Sequence, residues 1–282
     1  MPELPEVETI VRRLRNSTHN HPSLIGCVIQ SVDITWDRTI AEPDPDTFKK
    51  QLIGRQILDV GRRAKFLHFP LSQGHLIAHL RMSGDMRVEP RQTNEGQPNP
   101  QEPYDRVLIN FESNWRLVFS TIRKFGRMWY LEDAQSLFGN LGPEPLSEDF
   151  SPQLLYEKLQ AHNRQIKPLL MDQHFIAGLG NIYADESLFQ AKIHPLRQSN
   201  TLSLSEAHGL FDAIQTTLKE GIQSFGASLD WVYRGGQFQN YFKVYQRMGE
   251  PCPICGTPIK KITVGQRGTH FCPNCQKAPE ID

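Results

Sequence analysis

The chain has 282 residues, 38% hydrophobic and 22% charged, with 31 lysines and arginines balanced by 31 aspartates and glutamates. This balance excludes a disordered or low-complexity chain, and no apolar run approaches the roughly 18 residues that a helical membrane span requires. Zero net charge also excludes a surface that attracts polyanions as a whole. The length exceeds the roughly 100–200 residues of one domain, so at least two are predicted.

The acidic start MPELPEVETI has neither the basic nor the apolar region of a secretory signal, so a cytoplasmic location is expected. Leu4, Val7, Ile10, Val11 and Leu14 recur at helical spacing and predict an amphipathic helix from about residue 3 to residue 14. Glu3 and Glu6 fall in its first turn, where carboxylates complement the helix dipole. Pro2 has two readings. It is a helix-start residue, or, once Met1 is removed, a secondary amine at the chain terminus. An α-amino group titrates near about 7.7–8.0, against about 10.4 for lysine, so a useful fraction is unprotonated near neutrality and can attack an electrophilic carbon.

From Cys27 to Glu132 the segments CVIQSVDI, QILDVGRRAKFLHFPL, HLIAHLRM, RVLINFES, WRLVFSTI and GRMWYLE read as strands separated by turn residues, predicting a β-sandwich around the first helix. Residues 91–104, RQTNEGQPNPQEPY, predict an exposed, mobile loop. Cys27 reads as a small buried hydrophobe. Beyond Leu141-Gly-Pro-Glu-Pro, which reads as a linker, helical periodicity takes over in SPQLLYEKLQ, KPLLMDQHFIA, NIYADESLFQA and SEAHGLFDAIQTTLKEGIQ. Gly178-Leu-Gly180-Asn181 predicts a turn closed by an asparagine N-cap, a helix start of the kind that binds phosphate. Residues 225–241 are long and glycine-containing, a lid or a plain connector.

Cys252-Pro-Ile-Cys255 and Cys272-Pro-Asn-Cys275, sixteen residues apart, have the spacing of a four-thiolate zinc site. Such a closed site is structural; redox dithiols are the alternative. Lys260–Val264 and residues 269–271 predict two short strands of a zinc ribbon, with Arg267 at the hairpin tip. Between Arg234 and Lys277 seven basic residues face one acid, Glu250, either a solvated face or a polyanion contact.

The run Met1-Pro2-Glu3-Leu4-Pro5-Glu6-Val7-Glu8-Thr9, with Arg62-Arg63-Ala64-Lys65, His79-Leu-Arg-Met82-Ser-Gly84, Gly142-Pro-Glu-Pro145, Ile166-Lys-Pro-Leu, Gly178-Leu-Gly-Asn-Ile-Tyr-Ala-Asp-Glu186 and the terminal cysteines, resembles the bacterial formamidopyrimidine-DNA glycosylases over the whole chain, in order. Leu4 separates it from the related endonuclease VIII branch, which typically has glycine there and prefers oxidised pyrimidines.

The resemblance implies an α+β chain: a catalytic, helix-flanked β-sandwich (1–141), a helix-two-turn-helix domain with a lesion-capping loop (142–241) and a zinc-ribbon finger (242–282). It implies one structural zinc on Cys252, Cys255, Cys272 and Cys275, and a monomer that takes duplex DNA with an oxidised base or abasic site into the cleft between domains. Pro2 would be the nucleophile, Glu3 the proton donor, Glu6 a supporting acid, Lys65 the β-elimination residue and Arg267 the δ-elimination residue. Met82, Arg123 and Phe125 would fill the void left by the everted nucleotide, and His79, Lys167 and Asn181 would anchor phosphates. The chain departs from the family at Thr121-Ile122 (often Asp-Pro), at Lys124 (often arginine) and at Tyr104, where some relatives have a DNA-binding histidine. A basic contact falls near Asn163 and Arg164, with Arg164 taken as the candidate. A non-catalytic binder of distorted DNA is the alternative from another functional class.

Overall fold

A computed structural model describes residues 1–18, 21–93, 95–228 and 235–278. The chain forms two compact units, Met1–Gly139 with Ser228–Gly236, and Asn140–Ala227 with Gln237–Asp282. The cysteine-rich segment falls in the second.

Helix α1 (Leu4–Arg15) opens the first unit with Glu3 as its extended N-cap, Pro5 in its first turn and Arg12, Arg13 and Arg15 complementing the dipole in its last. Its buried stripe of Val7, Ile10, Val11 and Leu14 shares one core with two sheets. In chain order follow β1 (Ile29–Ile34), β2 (Ile40–Glu42), α2 (Pro45–Leu52), β3 (Gly61–Arg63), β4 (Phe66–Pro70), β5 (His75–His79), β6 (Gly84–Pro90), β7 (Asp105–Phe111), β8 (Trp115–Thr121), β9 (Arg127–Leu131) and the short α3 (Gln135–Phe138). One sheet runs β1-β7-β8-β6, the other β2-β9-β5-β4-β3, and among the described residues only the β2–β9 pairing is parallel. Phe111, Leu117 and Phe119 of the first sheet and Leu67, Phe69, Leu76 and Met128 of the second meet in the core.

The reading in strands misses α2, although its signal was present: Asp44 before Pro45 accepts the Asp46 and Thr47 amides, both at 3.1 Å. It also misses β6, where Asp85, Arg87 and Glu89 interrupt the apolar pattern of a strand. Arg87 forks onto both Asp105 oxygens at 2.9 Å and reaches Glu89 at 2.8 Å. The exposed 91–104 segment is anchored in its described part: Arg116 donates to the carbonyls of Asn99 and Pro100 at 3.1 and 3.3 Å. Cys27 is half-buried, not buried, and its surroundings raise the thiol pKa by desolvation.

The second unit contains α4 (Pro152–Gln160), α5 (Ile166–Leu170), α6 (Asn181–Gln190), α7 (Leu204–Gln223) and the hairpin β10 (Lys260–Val264) and β11 (Arg267–Phe271). Ser151 caps α4, and Ser203 with Glu206 forms a capping box on α7. The Gly-Pro-Glu-Pro segment is not a free linker. Gly142 donates to Gln173 O at 2.8 Å and Pro143 O accepts from Ala177 at 3.0 Å, and a Cβ on Gly142 would lie 2.7 Å from His174 O.

The helix expected over KPLLMDQHFIA stops at Leu170. Gln173 then closes the turn from within, donating to Leu179 O and accepting from Gly178 N, both at 2.9 Å, with Gly178 at φ +111°. Gly180 is the N-cap of α6, and Asn181 is its first helical residue rather than its cap. No helix among the described residues is long and apolar enough to cross a membrane.

Candidate active site

In the first unit the site begins at the start of α1. Pro2, Glu3 and Glu6 are all buried. The Glu3 amide donates to Glu6 Oε2 at 2.7 Å, so the Glu6 carboxylate fixes the Pro2–Glu3 peptide. Glu8, two residues further, accepts from Arg12 at 2.8 Å and from Arg62 at 2.9 Å. The second bond ties β3 to α1. Arg63 pairs with Phe66 across a two-residue turn of Ala64 and Lys65. Ala64 adopts φ +53°, a position that favours glycine. Lys65 thus sits buried at a hairpin tip fastened to the helix that carries Pro2.

Opposite Phe66 on β5 lies His79, the two rings edge to face at 4.7 Å. His79 Nδ1 accepts the Arg81 amide at 2.9 Å, which leaves the ring proton on Nε2. Burial first, then the charges of Arg81 and Lys65, push the His79 pKa down to about 3. It is therefore a neutral donor at physiological pH. A histidine with a folded pKa below its unfolded value of about 6.5 contributes stability above that value and loses it as pH falls toward 3. We expect this residue alone to lower the unfolding free energy by about 1.4 kcal/mol per pH unit between about pH 6 and 4. Urea denaturation across that range checks it: His79→Gln should flatten the slope, and an unchanged slope would remove the assignment.

The turn after β5 closes only because residue 84 is glycine; a Cβ there would lie 2.6 Å from Leu80 O. It presents Met82, 37% exposed. From the β8–β9 loop Arg123 approaches it, Nη1 3.8 Å from Met82 Sδ, while the Arg123 amide donates to Ser83 Oγ at 3.2 Å. Phe125, two residues on, is 53% exposed. Tyr104 is exposed, and its carbonyl accepts the Thr121 amide at 2.9 Å at the base of the same loop. The structure thus places Met82 and Arg123 together, and Lys65 beside His79.

In the second unit Gly265 and Gln266, at φ +54° and +62°, form the two-residue turn between β10 and β11. Arg267 follows directly and is exposed. Lys167, expected to anchor a phosphate, has no exposed surface. Its ammonium lies 2.6 Å from Asp185 Oδ1 and donates to Thr269 Oγ1 at 2.7 Å and Gly268 O at 3.1 Å. Asp185 Oδ2 accepts the His270 amide at 2.9 Å. Asn181 Nδ2 also donates to Gly268 O, at 3.1 Å, and to Tyr245 Oη at 3.3 Å.

Lys167 and Asn181 therefore converge beneath the hairpin that presents Arg267. Arg164 stands apart, half-exposed and ion-paired with Asp172 at 2.8 Å. Lys167→Met would leave Asp185 buried beside too few donors. We expect a loss of about 3–5 kcal/mol in chemical denaturation of this unit; wild-type stability would show that the pair is dispensable.

The four cysteine Sγ atoms lie within 4.8 Å of one another, with close pairs at 3.5 and 3.9 Å. A tetrahedron with zinc–sulfur bonds of about 2.3 Å has edges of about 3.8 Å, whereas a disulfide requires about 2.05 Å. The donor set fits zinc. Amides of Ile254 and Cys275 point at the sulfurs of Cys252 and Cys272 from 3.4 Å, favouring thiolates. Four donors close the coordination sphere, so the site is structural.

Residues 1–128 match the formamidopyrimidine-DNA glycosylase N-terminal domain, 141–231 the H2TH domain of the same enzymes, and 249–278 the zinc finger found in FPG and IleRS. The formamidopyrimidine-DNA glycosylase of Protochlamydia amoebophila (strain UWE25) is 43% identical over 286 residues, covering 98% of this chain and 100% of that protein. The chain belongs to the formamidopyrimidine-DNA glycosylase family. Solved structures of the family agree. Lactococcus lactis Fpg in complex with abasic-site DNA superposes with a TM-score of 0.88 at 38% identity, over 98% of this chain and 100% of that one. MutM in complex with DNA containing carbocyclic 8-oxo-G gives 0.88 at 39% identity, with the same coverage. The α+β class, the zinc and a DNA glycosylase acting on damaged DNA, all expected from the sequence, stand.

Several residues that tie the second unit together escaped the sequence reading. Glu186 accepts the amides of Lys243, Val244 and Tyr245 at 2.9, 3.0 and 2.8 Å, and burial raises its pKa against their pull. Gln276 accepts the Cys272 amide and donates to Ile193 O, both at 2.9 Å. Two adjacent acids in a helix buried on nearly every face were the available signal for Asp185 and Glu186. Of the proposed lid over residues 225–241, residues 229–234 lie outside the described residues.

Proposed function

We propose that the enzyme removes oxidised purines, 8-oxoguanine and formamidopyrimidines, from duplex DNA as a bifunctional glycosylase and AP lyase with the Pro2 nitrogen as nucleophile. The observation that carries this reading is the buried start of α1, where Glu6 holds the Glu3 amide at 2.7 Å. With Met1 removed, the amine ends a fixed peptide rather than a flexible arm, the preorganisation that a nucleophile needs.

The damaged nucleotide leaves the base stack. The nitrogen bonds to C1′ as the glycosidic bond breaks; that electron pair departs with the base, which takes up the proton that the nitrogen gives up. Glu3 is the proton donor to the ring oxygen, opening the sugar to an iminium. Loss of a C2′ proton expels the 3′ phosphate, and a second elimination expels the 5′ phosphate. Lys65, beside His79, serves the first elimination. Arg267 stabilises the second leaving phosphate electrostatically, since a guanidinium is not a usable acid. Hydrolysis of the imine restores the amine.

Met82, Arg123 and Phe125 form the wedge that occupies the vacated position, offsetting unstacking of a few kcal/mol. His79 donates Nε2–H to a phosphate, the first turn of α6 at Asn181 receives another, and Tyr104 and Arg164 add contacts. The enzyme acts as a cytoplasmic monomer. Leu4 has no exposed surface, and the side chain there favours the purine branch. The test is excision of 8-oxoguanine opposite cytosine against excision of thymine glycol, with borohydride present during turnover. Faster excision of thymine glycol, or no trapped adduct, refutes the reading.

A further inference from the structure

We propose that the indole of Trp36 is a seat for Lys124, and that this contact sets the posture of the loop presenting Arg123 and Phe125. The inference rests on the wedge reading above. Lys124 Nζ lies 3.8 Å from the centre of the Trp36 ring, well inside the range of cation–π attraction. Lys124 stands between the two wedge residues at φ +59°, a backbone conformation that a lysine keeps only when its surroundings hold it there.

Each side of the loop has its own tether. On one, Ser83 receives the Ile122 amide on its carbonyl at 3.4 Å and the Arg123 amide on its hydroxyl at 3.2 Å. On the other are the indole, which holds the Lys124 side chain, and Arg127, whose Nη1 donates to the carbonyls of Lys124 and Gly126 at 3.1 and 3.0 Å. Trp36 is itself fixed: its carbonyl accepts the Thr39 amide at 2.9 Å, and the preceding Thr35 donates to the carbonyls of Arg106 and Asp105 at 2.9 and 2.7 Å. The indole is thus carried on backbone that is hydrogen-bonded on both sides just after β1, and Lys124 belongs to the element that must keep its shape when pushed into a duplex. Because the sign of φ at Lys124 decides where the chain leaves toward Phe125, the contact acts on the wedge through the backbone. Trp36 and Lys124 are positioning residues, and neither is assigned a contact with the reacting sugar.

The test compares two substrates: duplex carrying 8-oxoguanine opposite cytosine, where a void must be filled, and a single-stranded abasic oligonucleotide, where there is none. Trp36→Leu and Lys124→Gln are each expected to slow single-turnover cleavage of the duplex by about three- to tenfold and to leave the single strand unaffected. Lys124→Arg, which keeps the cation, should match wild type, and the double variant should be no slower than either single one. Equal losses on both substrates, multiplying losses in the double variant, or an unaffected Trp36→Leu enzyme would each overturn the proposal. So would a Lys124→Gln enzyme whose binding only loses about one unit of salt slope, the mark of a phosphate contact. Phe125→Ala separates the two levels. A duplex-specific loss there with none in Trp36→Leu sinks the seat alone, and no duplex-specific loss in Phe125→Ala sinks the wedge reading and the seat with it.

Discussion

Enzyme carrying one extra residue ahead of Pro2, or keeping Met1, is expected to form no borohydride-trapped adduct and to lose roughly a thousandfold or more of its excision rate, the scale at which removing a nucleophile is felt. The reason is electronic before it is steric. Acylation turns the proline nitrogen into an amide whose lone pair is delocalised into the carbonyl, so it no longer adds to C1′. Folding should be unaffected, because α1 is held by Leu4, Val7 and the Glu3–Glu6 hydrogen bond, none of which involves the terminus. Equal thermal midpoints for blocked and free enzyme would establish this. Pro2→Gly is the companion variant. It retains an amine, so an adduct should still form, and its reduced rate would measure what the ring contributes. Full activity in enzyme shown by mass spectrometry to be blocked would end the amine mechanism.

How much of this was legible beforehand depended on whether the signal was local. The α1 stripe and the paired cysteines each carry their information within a few residues, and both were read correctly. The capping signal of α2 was also local, and was lost only because Asp44-Pro45 sits among strands. Lys167 is different in kind. Its basic side chain in a recognisable motif suggested a phosphate contact, but its role depends on Asp185, eighteen residues on, and on Gly268 and Thr269, about a hundred residues on. Whether a lysine meets water or a carboxylate is decided by packing that no window of sequence contains. The same holds for Glu8 and Arg62, 54 residues apart, which bring the Lys65 hairpin to the helix bearing Pro2.

Removal of the metal, by a strong chelator or by Cys272→Ala, is expected to weaken DNA binding by about a hundredfold or more, while most of the helical signal in circular dichroism remains. The apolar cluster around the cysteines consists of Phe189, Val244, Cys252, Ile259, Cys272 and Cys275. A core of that size does not fold on its own, so the zinc–thiolate bonds supply the difference. The β10–β11 ribbon is two-stranded, and such a ribbon is marginal in water. It is held at its base by Cys272, immediately after Phe271, and near its turn by Lys167 and Asn181 at Gly268. Releasing the base leaves the back of the hairpin attached through Asn181 and the charged Lys167, whose hydrogen bonds contribute about 1.5–3 kcal/mol each, while Arg267 itself stands on a ribbon with no closed end and is no longer kept in one position. The loss should therefore fall hardest on the step assigned to Arg267. Where binding is restored by excess DNA, the metal-free enzyme should accumulate the product of the first elimination. Undiminished affinity, or an unaltered product ratio, in protein proven free of zinc would show that the metal does not hold this hairpin.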